Sequence, residues 1–496
     1  MQISIKLDFQ SDESLQNQIF EAIRLQILSG QLAPALLLPS TRVLSEQLGV
    51  SRNTTVLAYD RLIAEDYIYS RKTIGTFVND SLPENSLTLS NRASLSNKKI
   101  NERAERHFER NPVVFTGRVQ DLNNPNREKL DIDFWVGRPD PDSFPTKSWR
   151  KIINQILPFS GSEMTKYHDP AGIYELRKSI ANHLRPSRGI DAEPDQVIVV
   201  NGSQEGLNII SRLLIKQNSP VVAECPCYQG AAYVFESYGA KIHPVNVDEK
   251  GLDVGLLPDE PISLAYVTPS HQYPMGATLS LKRRIGLLDW AKSTGAYILE
   301  DDYDSDFRHK GSPLTALAGQ DPHGCVIYMG TFSKSLGAGL RLGYLVVPKE
   351  LIEPVRMAKA RIDNGSAWLQ QAVLAEFISS GAYTKHLRRI RKIYLSRRDC
   401  LVESLEKYFG KVQLLGLDGG MHLIWKLPKH LPSSVEMKRI SESVGVGVYT
   451  LKTGAAHNFE ISEYSERTLM IGYSSTPEKL IEEGISRIAK SLENII

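Results

Sequence analysis

Apolar and polar positions change period several times along the chain, and each change marks an element. Ile19, Ala22, Ile23 and Ile27 fall at i, i+3, i+4 and i+8, the stripe of a first helix over residues 14–28 that Ser29-Gly30 ends. After an apolar segment to Pro39, the spacing over Ser40–Val56 predicts helix, tight turn, helix. Thr41–Leu48 is a short helix closed by Gly49, Val50 is the buried turn residue, and Ser51 is the N-cap of a second helix to about Ile63. Tyr67–Ser70 and Thr76–Val78 alternate on either side of Arg71-Lys72-Thr73-Ile74-Gly75, which predicts a β-hairpin with a basic tip.

The apolar period then disappears. From Asn79 to about Asn111 the chain is rich in Ser, Asn, Lys, Arg and Glu, and residues 91–110 hold six Lys/Arg and three Glu, the composition of a solvated tether. This predicts a first domain over residues 1–80, a linker over 81–125 and a large domain over 126–496. In the large domain, β-rich runs (Gln196–Val200, Pro220–Ala223, Ile262–Val267, Ala296–Glu300, Cys325–Met329, Leu342–Val347) alternate with helical stretches (Glu205–Ile215, Tyr228–Tyr238, Leu281–Thr294). Such alternation predicts an α/β domain with a mainly parallel sheet, whose ligands gather outside the carboxyl ends of the strands.

Composition narrows the class. Hydrophobic residues at 41% and charged residues at 23% describe an ordinary globular chain. The longest apolar stretch, Leu32–Pro39, is far short of the roughly 18 residues of a membrane span, and Met1–Glu13 lacks a signal peptide's apolar core, so a cytoplasmic protein without membrane contact is expected. Cys225 and Cys227 form a Cys-Pro-Cys with Cys325 and Cys400 far away, which is neither a zinc-ligand pair nor a disulfide framework; reduced, buried thiols and no metal are expected. The net charge of +2 gives no bulk pull toward nucleic acid, and residues 1–80 carry seven Lys/Arg against nine Asp/Glu. DNA contact must therefore come from a local cluster of cations.

Five segments of the large domain carry chemistry. Asn201-Gly202-Ser203-Gln204-Glu205-Gly206 follows a strand and opens a helix, so its free N–H groups suit a phosphate. Glu224–Tyr228 ends another strand with a ring on which a flat heterocycle can stack. Glu300-Asp301-Asp302-Tyr303-Asp304 places four carboxylates and a phenol after a buried-type strand; two or three of these acids are expected to be solvated. Thr331-Phe332-Ser333-Lys334-Ser335, with Arg341 close behind, sets a lysine among hydroxyls at a strand's end. That lysine can form a Schiff base with an aldehyde, while Ser333 and Arg341 can bind a phosphate. Phosphate, ring and lysine together suggest pyridoxal 5′-phosphate (PLP), with Asp301 as the carboxylate that keeps the pyridinium proton. Thr268–Gly276 is a turn that could approach the O3′ side of the ring.

Leu38-Pro39-Ser40-Thr41-Arg42, Val50–Val56, Ala58-Tyr59, Leu62 and Gly75–Val78 resemble the winged helix-turn-helix of the GntR family, and the large domain resembles the fold-type I aminotransferases. The whole chain, the linker aside, is similar to the MocR-type transcription regulators. The resemblance implies a multidomain protein: a winged helix followed by an α/β PLP-dependent transferase fold with a large, mixed, mostly parallel sheet and a smaller C-terminal α+β subdomain. It implies that Arg42, Ser51, Arg52, Asn53 and Thr54 face a double-stranded operator, with Arg52 the base reader and Lys72 and Thr73 on the wing. It implies Lys334 as the internal aldimine, Asp301 against the ring nitrogen, Tyr303 near O3′, Tyr228 stacked on the ring, and Ser203, Gln204, Ser333 and Arg341 around the phosphate. A head-to-tail homodimer is implied as well.

Two positions depart from that pattern. Where aminotransferases and amino-acid-sensing relatives hold the substrate carboxylate with an arginine, in an Arg-Leu-Gly-Phe-like stretch, this chain has Met470, and a thioether cannot replace a bidentate guanidinium. Arg467 lies three residues upstream, where a strand inverts the face. GABA-responsive relatives also tend to carry an arginine two residues after the stacking tyrosine; here that place is Gly230. PLP itself is therefore the expected effector, as in the PdxR-like branch that controls vitamin B6 metabolism. A taurine-like or GABA-like amino compound, and a working aminotransferase with a DNA-binding appendage, are the alternatives.

Overall fold

The computed structural model describes residues 3–11, 13–71, 74–79, 130–309, 314–459 and 463–493, so the predicted linker over 81–125, together with Lys72 and Thr73, lies outside the described residues. Two compact units emerge, Met1–Val114 and Phe115–Ile496.

In the first unit the helices Leu15–Leu28, Thr41–Leu48 and Arg52–Ala64 pack around Ile19, Phe20, Ile23, Leu44, Tyr59 and Leu62. Gly49 adopts φ +67°, the left-handed conformation that lets the chain turn between the second and third helices. Ser51 then caps the third helix by accepting the Thr54 N–H at 3.1 Å. The hairpin pairs Ile68–Arg71 with Gly75–Val78, shifted by about a residue from the sequence pattern. It gains a third strand, Leu37–Leu38, which the apolar stretch 32–39 had concealed.

The second unit is built on an eight-stranded sheet. Its order is Val197–Val200, Gly343–Val346, Val326–Thr331, Tyr297–Asp302, Leu264–Val267, Pro220–Cys225, Lys241–Asp248 and Gly251–Leu252. Adjacent pairs from Val326–Thr331 through Lys241–Asp248 are parallel, and Gly343–Val346 runs antiparallel to both of its neighbours. The central strands are buried on both faces, as helices on either side of a parallel sheet require. A second, four-stranded antiparallel sheet, ordered Gln413–Leu415, His422–Lys426, Thr468–Gly472 and Tyr449–Thr450, forms the C-terminal subdomain with the helices Ala382–Phe409, Ser434–Ser443 and Glu478–Glu493. All four cysteines are free, and three are buried. Among the described residues no helix is long and apolar enough to cross a membrane.

Candidate functional site

The chemistry-bearing segments all leave the carboxyl ends of parallel strands, and the topology brings them to one edge of the large sheet. After Val197–Val200 the chain turns at Gly202 (φ +84°) into the helix Ser203–Leu214, with no side-chain cap on its first N–H groups. A Cβ at residue 202 would come within 2.7 Å of Arg341 Nη2, so only glycine lets the guanidinium close on the turn. From there Arg341 donates to the Asn201 carbonyl at 2.8 Å. Gln204 Nε2 donates to the Tyr228 hydroxyl at 3.2 Å, which links the turn to the ring of the next strand end. Ser333 lies beside Thr331, whose Oγ1 accepts its N–H at 3.1 Å. Hydroxyls, helix N–H groups and one guanidinium thus occur at these strand ends, the kinds of group that hold an anion.

The acidic run behaves differently from the expectation of solvated charge. Glu300, Asp301, Asp302 and Asp304 are all buried, and Glu300, Asp302 and Asp304 draw partners from other segments of the chain. Glu300 accepts the Leu317 and Ala318 N–H groups at 2.8 Å each, Asp302 takes Arg188 Nε at 2.7 Å and the Tyr328 hydroxyl at 2.5 Å, and Asp304 meets His271 Nδ1 at 2.9 Å. Asp301 is the exception within the run. Its Oδ2 accepts the Tyr266 hydroxyl at 2.7 Å, while its Oδ1 is buried with no hydrogen-bond partner among the described residues. Burial raises its carboxyl to about 7, with donation from Tyr266 acting in the opposite direction. A buried carboxylate oxygen with no partner among the described residues is one that calls for an explanation.

Lys334 donates its Nζ to the Gly137 carbonyl at 3.0 Å, and burial lowers its pKa although Asp304 and Asp301 pull the other way. Tyr303 places its hydroxyl 3.1 Å from His271 Nδ1. The loop Thr268–Gly276 is pinned by Glu224, whose Oε2 accepts the Thr268 N–H, the Thr268 hydroxyl and Gln272 Nε2. Tyr273 of that loop stands edge-on to both Tyr228 and Tyr303.

On the far side the character changes. Met470 is fully buried in a cluster with Met275, Ile424, Tyr449, Leu451 and Ala456, against which Trp135, Val136 and Tyr273 pack. Arg467 is turned away, its guanidinium donating to the carbonyls of Leu427, Pro428 and Leu431. At Gly230 a Cβ would lie 2.4 Å from Gln204 Nε2 and 2.5 Å from the Tyr228 ring, so a side chain there would displace one or the other.

Comparison with known proteins gives this arrangement a family. The class I and II aminotransferases match residues 131–488, and the gntR family of bacterial regulatory proteins matches residues 15–78. The chain is 34% identical to the probable rhizopine catabolism regulatory protein MocR of Rhizobium meliloti, over 97% of this chain and 94% of that one. It is 31% identical to the HTH-type transcriptional regulator TauR of Rhodobacter capsulatus (97% and 96% covered) and 29% identical to the HTH-type pyridoxine biosynthesis transcriptional regulator PdxR of Corynebacterium glutamicum (94% and 96% covered). Among solved structures, an archaeal alanine:glyoxylate aminotransferase superposes with a TM-score of 0.68 at 25% identity, over 83% of this chain and 99% of that one. The chain belongs to the MocR-type regulators.

As a MocR-type regulator it combines a DNA-binding winged helix with an aminotransferase fold that binds PLP. The residues present fit that cofactor: the orphaned Asp301 oxygen, the cradle that a Cβ at residue 202 would fill, and a lysine at the end of the adjacent strand. In the head, Arg42, Arg52 and Asn53 are exposed, and Arg42 makes only a loose 3.6 Å pair with Glu46. Ser51 and Thr54 hydrogen-bond to each other at 2.8 Å, so their hydroxyls are already committed to the helix start. Sequence reasoning passed over Tyr266, because an aromatic in a buried strand reads as packing, and it gave His271 no role of its own.

Proposed function

We propose that this MocR-type regulator takes PLP itself as its effector and controls vitamin B6 metabolism, as the name of its relative PdxR suggests, with the aminotransferase fold used for sensing and not for steady turnover. One observation carries the reading: a buried methionine, Met470, where the family sets the arginine that grips a substrate carboxylate. A carboxylate ligand lacking that contact forgoes about 1.5–3 kcal/mol, roughly one to two decades of affinity. Arg467, committed to backbone carbonyls, offers no replacement.

In this reading Asp301 keeps the proton on the ring nitrogen, Tyr303 lies toward O3′, Tyr228 stacks on the ring, and Ser203, Gln204, Ser333 and Arg341 take the phosphate. The cofactor's contribution is an electrophilic aldehyde. Burial lowers the pKa of Lys334, which favours the unprotonated amine that would meet it. Residues 1–80 form the reading head, 81–125 a tether and 126–496 the sensor of a cytoplasmic protein. Arg42, Arg52, Asn53 and the helix start at Ser51–Thr54 face the operator, with Arg52 reading bases in the major groove. The homodimer, head-to-tail in this reading, would have apolar side chains to cover on the second unit, where Leu157, Phe159, Met164 and Tyr167 are exposed, Phe159 and Tyr167 by 86% and 87%.

A gel shift on the gene's own upstream region, with and without PLP, taurine and a panel of amino acids, tests the effector. PLP alone is expected to change the pattern; a change with an amino compound and none with PLP would replace this reading. Arg52→Ala is expected to abolish the sequence-specific shift while the protein stays folded, and an unchanged shift would reassign the recognition helix.

A further inference from the structure

Beneath the Asn201–Gln204 turn lies an ionic cluster, centred on a buried lysine, that none of the roles above uses. Lys359, on the helix Ile352–Asp363, has no exposed surface. Its Nζ donates to Glu205 Oε2 at 2.9 Å, to Asp363 Oδ2, and to Ser366 Oγ at 3.1 Å, so all three ammonium protons have acceptors. Glu205 Oε2 also accepts the Asn201 N–H at 2.6 Å, and Asp363 Oδ2 accepts the Asn201 side-chain amide at 2.7 Å. The cluster thus grips Asn201 by its backbone and its side chain, and the carbonyl of that same residue receives Arg341. Burial pushes the Asp363 carboxyl up, but hydrogen bonds from Lys359, the Gly365 N–H and Asn201, with the charge of Lys359, together outweigh it and hold the group below its ordinary range.

A carboxylate at Glu205 poses a problem that the lysine answers. On the first turn of the helix it suits the helix dipole and supplies the acceptor that shapes the turn. The same charge repels a phosphate bound at that turn, and the Glu205 side chain, 12% exposed, is only partly screened by solvent. Two cations, Lys359 and Arg341, balance two carboxylates, Glu205 and Asp363, so the turn meets an anion at zero net charge. Without Lys359 it would meet the anion at minus one.

We propose that Lys359 is a positioning residue of the phosphate site, a buried counter-ion that lets Glu205 shape the turn without expelling the phosphate. The inference rests on the reading of this turn as the place where the phosphate of PLP binds.

Absorbance titrations of the full chain with PLP, and with pyridoxal, which has the same ring and aldehyde but no phosphate, test it. The parent is expected to prefer PLP. Lys359→Gln is expected to weaken PLP by about tenfold or more and to move pyridoxal by less than about twofold. Adding Glu205→Gln to Lys359→Gln is expected to recover most of the loss. Equal losses for both ligands, an unchanged PLP affinity, or no recovery in the double variant would overturn the proposal. Should the single variant not fold, the double variant decides alone: a retained preference for PLP supports the counter-ion role, and a lost preference overturns it. A parent that does not distinguish PLP from pyridoxal would sink the phosphate reading of the turn itself, whereas a parent that does, beside a Lys359→Gln variant that does so equally well, would sink only the role of Lys359.

Discussion

On one side, at the carboxyl ends of the large sheet, Asp301, Lys334, Arg341 and the helix N-terminus at Ser203 supply charged and hydrogen-bonding groups, and Asp301 Oδ1 has no hydrogen-bond partner among the described residues. On the other, Met470 and its neighbours fill the space with methyl, thioether and ring atoms, and the nearest arginine along the strand braces a loop. A buried polar group costs free energy unless something pairs with it, so a chain with no further ligand to bind would be expected to lose such groups. The contrast teaches that, in the proposed reading, the ring side is built for a guest, whereas Met470 lies in ordinary core.

The largest expected effect breaks this contrast on the apolar side. Met470→Ala should cost about 2–5 kcal/mol of stability in denaturant unfolding, as large-to-small core changes do, and leave PLP affinity within about twofold. A variant of unchanged stability, or one that loses PLP, would mean that the methionine faces the ligand after all. On the polar side, Asp301→Asn should lower PLP affinity by about one to two decades, as loss of a charge-assisted contact of about 1.5–3 kcal/mol requires. Its pH behaviour sharpens the test. Because burial lifts the folded-state carboxyl to about 7, above its unfolded value of about 4, ionisation of Asp301 opposes folding of the cofactor-free chain. That cost is absent below about pH 4, grows through the interval and is complete above about pH 7. Urea unfolding should therefore show Asp301→Asn gaining on the parent between about pH 4 and about pH 7; parallel stabilities would contradict it. The smallest effect belongs to Tyr266→Phe, which removes one neutral-donor bond to Asp301 and should cost about 0.5–1.5 kcal/mol of PLP binding, roughly a factor of two to ten, by absorbance titration.

Much of this is legible in the sequence. The helix Leu281–Thr294 lies where its pattern placed it, as do Thr41–Leu48 and the Ser51 cap, because capping and turn residues act locally. The strand Lys241–Asp248 escaped notice because its pattern mixes charged, polar and proline residues, and only one of its positions is fully buried. Lys359 escaped for a similar reason: a lysine on a helix reads as solvent-facing, and only the fold brings Glu205 and Asp363 onto it. The burial of the acidic run was the clearest misreading, since its partners Arg188, His271 and the Leu317–Ala318 backbone all come from other segments of the chain. Long-range pairing decides the fate of charge, and local pattern does not carry it.

The central claim is a reversible covalent link between Lys334 and PLP, and borohydride reduction of the purified chain followed by peptide mass analysis tests it most directly. The account predicts a yellow protein whose colour is lost on reduction, with one cofactor mass fixed on the peptide that contains Lys334. A chain that stays colourless in excess PLP, or a label that falls on other lysines with Lys334 unmodified, would contradict it.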